Sequence, residues 1–322
     1  MLSISFVHSQ KKELRNANKF YESGEFSSAI DLLDSSKSLF DSGEDKIRAQ
    51  VTLLYGKIYT TMEDFDLAVK SFEMSKSLGT SKDVLDFEIN KLETAIITSA
   101  VGDNETEDYD SAANKLKLVY DINPEMNQQY LYYAASSAVN SSNLQLALEF
   151  YEELRNVRYT GIENKFYITE ISSGNEIEIN SEAEFNILQK SKDYENPREE
   201  ETESRFPEIV KNIALIYKEL GENDKALAAI ETARASNPDD VSLIINAANI
   251  YFELDDKEAF KLAMSEAIDK EPNNPVLYYN LGVISSELGE KENAISYYEK
   301  SIQLDPNNEN SYLNLVALIL DG

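Results

Sequence analysis

The sequence predicts an all-α fold, a solenoid of helix–turn–helix units with a small β-hairpin inserted. Three observations predict it. Leu281-Gly282 stands 34 residues after Ala247-Ala248, which stands 34 after Ile213-Ala214, a period typical of helical repeats. Downstream places keep the same phase: Ala226, Ile230 and Ala233, then Phe260, Met264 and Ala267, then Ala294, Tyr298 and Ser301. Small residues there let two helix axes approach to ~8–10 Å. Pro238, Pro272 and Pro306 recur at the same interval, where proline stops a helix.

The elements follow in order. Residues 1–9 hold a short apolar run, Leu2–Val7, too short to span a bilayer. It reads either as the remnant of a secretory signal or as the end of a strand or helix. Residues 10–161 hold four irregular units. Ala17, Phe20, Gly24, Phe26, Ala29 and Leu33 mark the first; Gly56, Tyr59, Phe65, Ala68 and Phe72 the second; Ala95, Tyr109, Ala112, Leu116, Val119 and Pro124 the third; Ala134-Ala135, Leu144, Ala147, Tyr151 and Leu154 the fourth. Extra residues near Asp103–Glu107 are expected to lengthen the turn of the third.

Residues 162–206 break the period. Lys165–Ile171 and Glu176–Asn180, rich in β-branched and aromatic residues around Ser172–Asn175, predict a β-hairpin. Ile177 and Ile179 share one face, which is expected to pack on the solenoid edge. A short helix is expected over Ala183–Lys192 and an acidic loop over Asp193–Ser204. Residues 207–308 are the three regular units. Asn274-Pro275 is a helix start, and Gly221 and Gly289 close first helices. Residues 309–322 begin a further, incomplete unit whose run Ala317–Leu320 is apolar; this end is expected to self-associate or to continue into more chain.

Composition excludes several functions. No cysteine and one histidine, His8, leave no thiolate nucleophile, Ser-His-Asp triad or zinc site elsewhere in the chain. Asp103–Asp110 alternates acids but lacks the glycine and the final glutamate of a calcium loop. No catalytic residue, cofactor or metal is expected. A net charge of −29 repels nucleic acid and anionic lipid and attracts basic segments; it also keeps a long surface soluble.

The 34-residue pattern resembles the tetratricopeptide repeat. Tryptophan is absent, so Val210, Ile244 and Tyr278 hold the bulky place, and Ser285 replaces the tyrosine matching Tyr217 and Tyr251. The resemblance implies a right-handed superhelix and a non-catalytic scaffold that binds extended peptides or proteins in its concave groove. The alternative is a self-assembling structural subunit with an idle groove. Lys211–Tyr217 and Leu277–Gly282 look like bacterial, exported members, implying a periplasmic or exported protein; a cytoplasmic one is the alternative. Asn212, Asn246, Asn280 and Asn314 recur in phase. In some relatives such asparagines grip a peptide backbone, since an amide both donates and accepts; a family-typical residue without that role is the alternative. Lys211, Ile245, Tyr279, Val283 and Leu313 would complete the groove. The matching N-terminal places hold Arg15, Leu54, Glu93 and Tyr133, so the groove is expected in the C-terminal half. A clamp for a terminal carboxylate is not expected there, because Leu215, Asn249 and Val283 interrupt the cations.

Overall fold

The computed structural model describes residues 2–236 and 238–320, without the side chains of residues 2–6, Ser236 and Glu253. It divides into two compact units, Met1–Ala147 and Leu148–Gly322.

The N-terminal unit is helical. It contains α1 (Leu2–Glu22), α2 (Phe26–Ser35), the short α3 (Lys37–Asp41), α4 (Asp45–Met62), α5 (Phe65–Ser77), α6 (Lys82–Glu105), α7 (Tyr109–Ile122) and α8 (Gln128–Asn140); α9 (Leu144–Asn156) begins in it. The apolar run at the N-terminus lies in α1. Where α4 crosses α5, a Cβ on Gly56 would lie 2.5 Å from the Phe72 ring, so only glycine admits this approach. Ser75 donates across the same crossing to the Ala49 carbonyl at 2.9 Å. The extra residues near Asp103 do not lengthen a turn. They extend α6 to 24 residues, because Lys82–Glu105 holds no proline and only Gly102 near its end to stop it.

One turn joins the two helices of every pair. One or two residues after the first helix the backbone turns left-handed: Gly24, Glu63, Glu107, Ser142, Gly221, Asp255 and Gly289 have φ between 58° and 79°. The next N–H returns to a carbonyl five residues back, as in Glu25 to Phe20 (2.8 Å), Asp108 to Asp103 (2.8 Å) and Glu222 to Tyr217 (2.7 Å), satisfying carbonyls the helix end leaves open. The residue making that bond is Glu25, Asp64, Asp108, Asn143, Glu222, Asp256 or Glu290. Each carries a side-chain oxygen at the start of the second helix, where negative charge and N–H acceptors are favoured.

In the C-terminal unit the rest of α9 precedes β1 (Asn164–Glu170), β2 (Asn175–Ile179), α10 (Glu182–Leu188) and β3 (Tyr194–Glu201). The sheet is antiparallel, in the order β2-β1-β3. The β-hairpin is as expected, with its turn one residue earlier. The acidic loop is instead a third strand. Asn196-Pro197 bulges opposite Ile168, between the pairs Tyr167–Arg198 and Thr169–Glu195, with Asn196 left-handed at φ 51°. A bulge on an edge strand tolerates proline, and Arg198 offsets the glutamates through Glu176 at 3.0 Å and Glu200. The sheet buries Phe166, Ile168 and Ile179 against Phe185 of α10. Its own helix, rather than the solenoid edge, covers Ile179, and Ile177 stays exposed.

Three helical pairs then follow: α11 (Phe206–Glu219) with α12 (Asn223–Ser236), α13 (Val241–Glu253) with α14 (Lys257–Lys270), and α15 (Pro275–Glu287) with α16 (Lys291–Leu304), before α17 (Glu309–Leu320). The core of the middle pairs runs from Ile244 and Ala248 through Phe260, Met264 and Ala267 to Leu277 and Leu281. Pro207 and Pro275 sit in the first turns of α11 and α15, where the missing N–H costs nothing.

Candidate functional site

Asn212, Asn246, Asn280 and Asn314 lie on α11, α13, α15 and α17, the first helices of successive units, and all four are half-buried. The two outer ones are tied down. Asn212 Nδ2 donates to the Tyr151 hydroxyl at 3.1 Å, and Asn314 Nδ2 to the Tyr298 hydroxyl at 3.4 Å. Tyr298, on α16, precedes Asn314 by 16 residues. Burial raises its hydroxyl above its usual 10, so it is protonated at neutral pH.

The two inner asparagines have no such partner. Ile230 and Met264 stand 16 residues before Asn246 and Asn280, at the place equivalent to Tyr298, and neither has a hydroxyl. The Asn246 Nδ2 is buried without any hydrogen bond. An unmet buried donor costs about 1–3 kcal/mol. The sequence pattern showed the period of the asparagines; it missed this division, which depends on residues of the preceding helix.

The other expected groove residues are less uniform. Lys211, Ile245, Tyr279 and Val283 are half-buried, while Leu313 is exposed. The Tyr279 ring lies 6.2 Å from that of Tyr298. Lys211 borders an open 960 Å³ depression with Lys165, Arg205, Glu208, Asp239 and Asp240, a mixed-charge lining that selects neither sign. On α17, Tyr312, Leu313, Val316, Ile319 and Leu320 are exposed.

Among the described residues no group of His, Asp and Glu is arranged to hold a metal, and no helix is long and apolar enough to cross a membrane.

Two tetratricopeptide repeat models match the chain, one over residues 212–275 and one over 276–308. Residues 212–308 are tetratricopeptide repeats. Repeats of this family are generally non-catalytic modules that support protein-interaction scaffolds. No curated protein sequence matches the chain. Solved structures of similar fold include the C-terminal part of a tetratricopeptide repeat-containing protein from Cytophaga hutchinsonii (13% identity, 94% of this chain and 99% of that one, TM-score 0.48). A tetratricopeptide repeat protein from Parabacteroides merdae is similar at 17% identity over 97% and 99%, TM-score 0.35. YrrB, a tetratricopeptide protein with an unusual peptide-binding site, is similar at 12% identity over 68% and 89%, TM-score 0.43. At these identities and scores the assignment rests on the repeat models.

Proposed function

We propose that the tetratricopeptide array binds an extended peptide segment of a partner protein along Asn212, Asn246, Asn280 and Asn314. The observation that carries this is the pair of inner asparagines, whose amides have no hydrogen-bond partner among the described residues, with the Asn246 donor buried and unmet. An extended peptide presents a carbonyl and an N–H at each residue, and an amide side chain meets both. Ile245, Tyr279, Val283 and Leu313 supply apolar contact, and Lys211 a cation at one end. Because backbone contacts dominate, the array reads side chains weakly.

A photo-crosslinking residue at Val283 captures the bound segment, which is identified by mass spectrometry, synthesised and titrated. Each amide–backbone bond contributes about 0.5–1.5 kcal/mol net, so Asn246→Ala with Asn280→Ala weakens binding about 5- to 150-fold. Equal affinity of wild type and double variant removes the proposal.

A further inference from the structure

The groove between α1 and α4 in the N-terminal unit is built differently. It has a volume of about 740 Å³, and Lys11, Arg15, Lys46 and Lys57 all line it, with Glu44 as the single carboxylate. Its floor is apolar: Leu14, Ile47 and Leu54 are buried, flanked by Leu53 and Val7. In a chain with 30 Lys and Arg against 59 Asp and Glu, four cations facing one carboxylate invert the general balance.

These cations are also unpaired. Elsewhere Lys and Arg regularly find carboxylates, as in Lys115–Asp103 (2.6 Å), Arg234–Glu266 (2.6 Å), Lys261–Glu290 (2.6 Å) and Lys270–Asp239 (2.7 Å). Among the described residues Lys11, Arg15, Lys46 and Lys57 make no ion pair; the Lys57 ammonium rests 4.9 Å from the centre of the Tyr21 ring. Lys11 and Arg15 are one helical turn apart, a spacing at which like charges repel. A bound anion removes that repulsion.

We propose that this groove is a second binding site, taking an acidic segment of a partner protein whose Asp and Glu carboxylates meet Lys11, Arg15, Lys46 and Lys57 while aliphatic side chains between them cover Leu14, Ile47 and Leu54. The volume suits a few residues of peptide. A nucleic acid would bring a long run of phosphates against a protein of net charge −29 and gain nothing from the apolar floor. The site is independent of the asparagine array.

The test uses the full chain and a short fluorescein-labelled peptide alternating Glu with Leu, amidated at its C-terminus, followed by fluorescence anisotropy. Wild type binds it, and binding weakens as salt rises. Lys11→Ala with Arg15→Ala, its fold checked by thermal melting, weakens binding about 2- to 30-fold, as expected for two exposed ion pairs. Lys11→Arg with Arg15→Lys retains it. Lys190→Ala with Lys192→Ala, which removes the same charge from the exposed region after α10, binds as wild type does. The proposal is overturned if wild type ignores the peptide, or if the Lys11/Arg15 and Lys190/Lys192 alanine variants bind alike. It is equally overturned if a Lys-for-Glu peptide binds as well, if a single-stranded oligonucleotide displaces the acidic peptide, or if only a free C-terminal carboxylate is held.

Discussion

The α4–α5 and α15–α16 pairs repeat one construction. Gly56 lies against the Phe72 ring and Gly282 against the Tyr298 ring, a Cβ on either glycine falling 2.5–2.6 Å from the nearest ring carbon. Ser75 donates to the Ala49 carbonyl and Ser301 to the Pro275 carbonyl, both at 2.9 Å and 26 residues apart. Yet the candidate ligand-facing places of the first helix differ throughout. Aligned on the glycines, Gln50, Leu53, Leu54 and Lys57 correspond to Val276, Tyr279, Asn280 and Val283. The residues that close the helical pair, Gly56, Phe72 and Ser75 or Gly282, Tyr298 and Ser301, are thus separate from those proposed to meet a ligand, and the second set differs while the first keeps its geometry.

The largest effect is expected where the two pairs agree. Gly56→Val and Gly282→Val each force the two helices apart and cost about 1–3 kcal/mol, as overpacking of a close contact does. Urea denaturation reads both. If only one of the two destabilises the chain, the pairs are not equivalent constructions.

A smaller effect separates tied from untied amides within the array. Asn246→Leu removes an unmet buried donor and raises stability by about 1 kcal/mol. Asn212→Leu removes the bond to Tyr151 and lowers it by a similar amount. The two midpoints should move in opposite directions; movement in the same direction would show that the Asn246 amide is satisfied in solution.

The smallest effect concerns charge. Hydrogen bonds from Lys261, and then from Asn293, hold the Glu290 carboxyl below its usual 4.5. Asp64, the residue aligned with Glu290, has no ion pair among the described residues. A carboxylate with a depressed folded-state pKa contributes stability that is complete above its unfolded value and is lost as pH falls through the folded one. The Tm difference between wild type and Lys261→Ala should therefore be slight at pH 7 and fade as pH falls below the usual 4.5. A difference that persists in acid would assign the effect to the lysine's packing.

The helical pairs were legible because their determinants are local and periodic. Ala247-Ala248, Leu281-Gly282 and the three prolines each act through steric size or backbone rigidity, which residue type states directly. The turns were legible only at Gly221 and Gly289. Glu63, Glu107, Ser142 and Asp255 adopt the same left-handed backbone, and nothing in an acidic or hydroxyl side chain announces it. Strand β3 was hidden because Glu199, Glu200 and Glu201 disfavour strands by composition, and their partners on β1 lie more than thirty residues earlier. In the site, the asparagine period could be read from the chain. The tyrosines that engage its outer members sit on the preceding helix, with the whole insertion between Tyr151 and Asn212. The cationic groove was invisible for the same reason: Arg15 and Lys57 meet only when α1 and α4 lie side by side.

The inserted sheet leaves and rejoins the helices at one place. Asn164 pairs with Glu201, the Thr202 N–H donates to the Glu163 carbonyl at 2.9 Å, and the Arg205 N–H donates to the Thr160 carbonyl at 2.7 Å. Beneath it, Glu152 of α9 still accepts from Tyr217 of α11 at 3.0 Å. For the helices the insertion is therefore a short link, however many residues hang from it. Growth or shrinkage at such a neck changes closure entropy only logarithmically, by about 0.6 kcal/mol per doubling. The chain has a grafting point there, where a whole module can be exchanged over evolutionary time without the helices on either side having to be rebuilt.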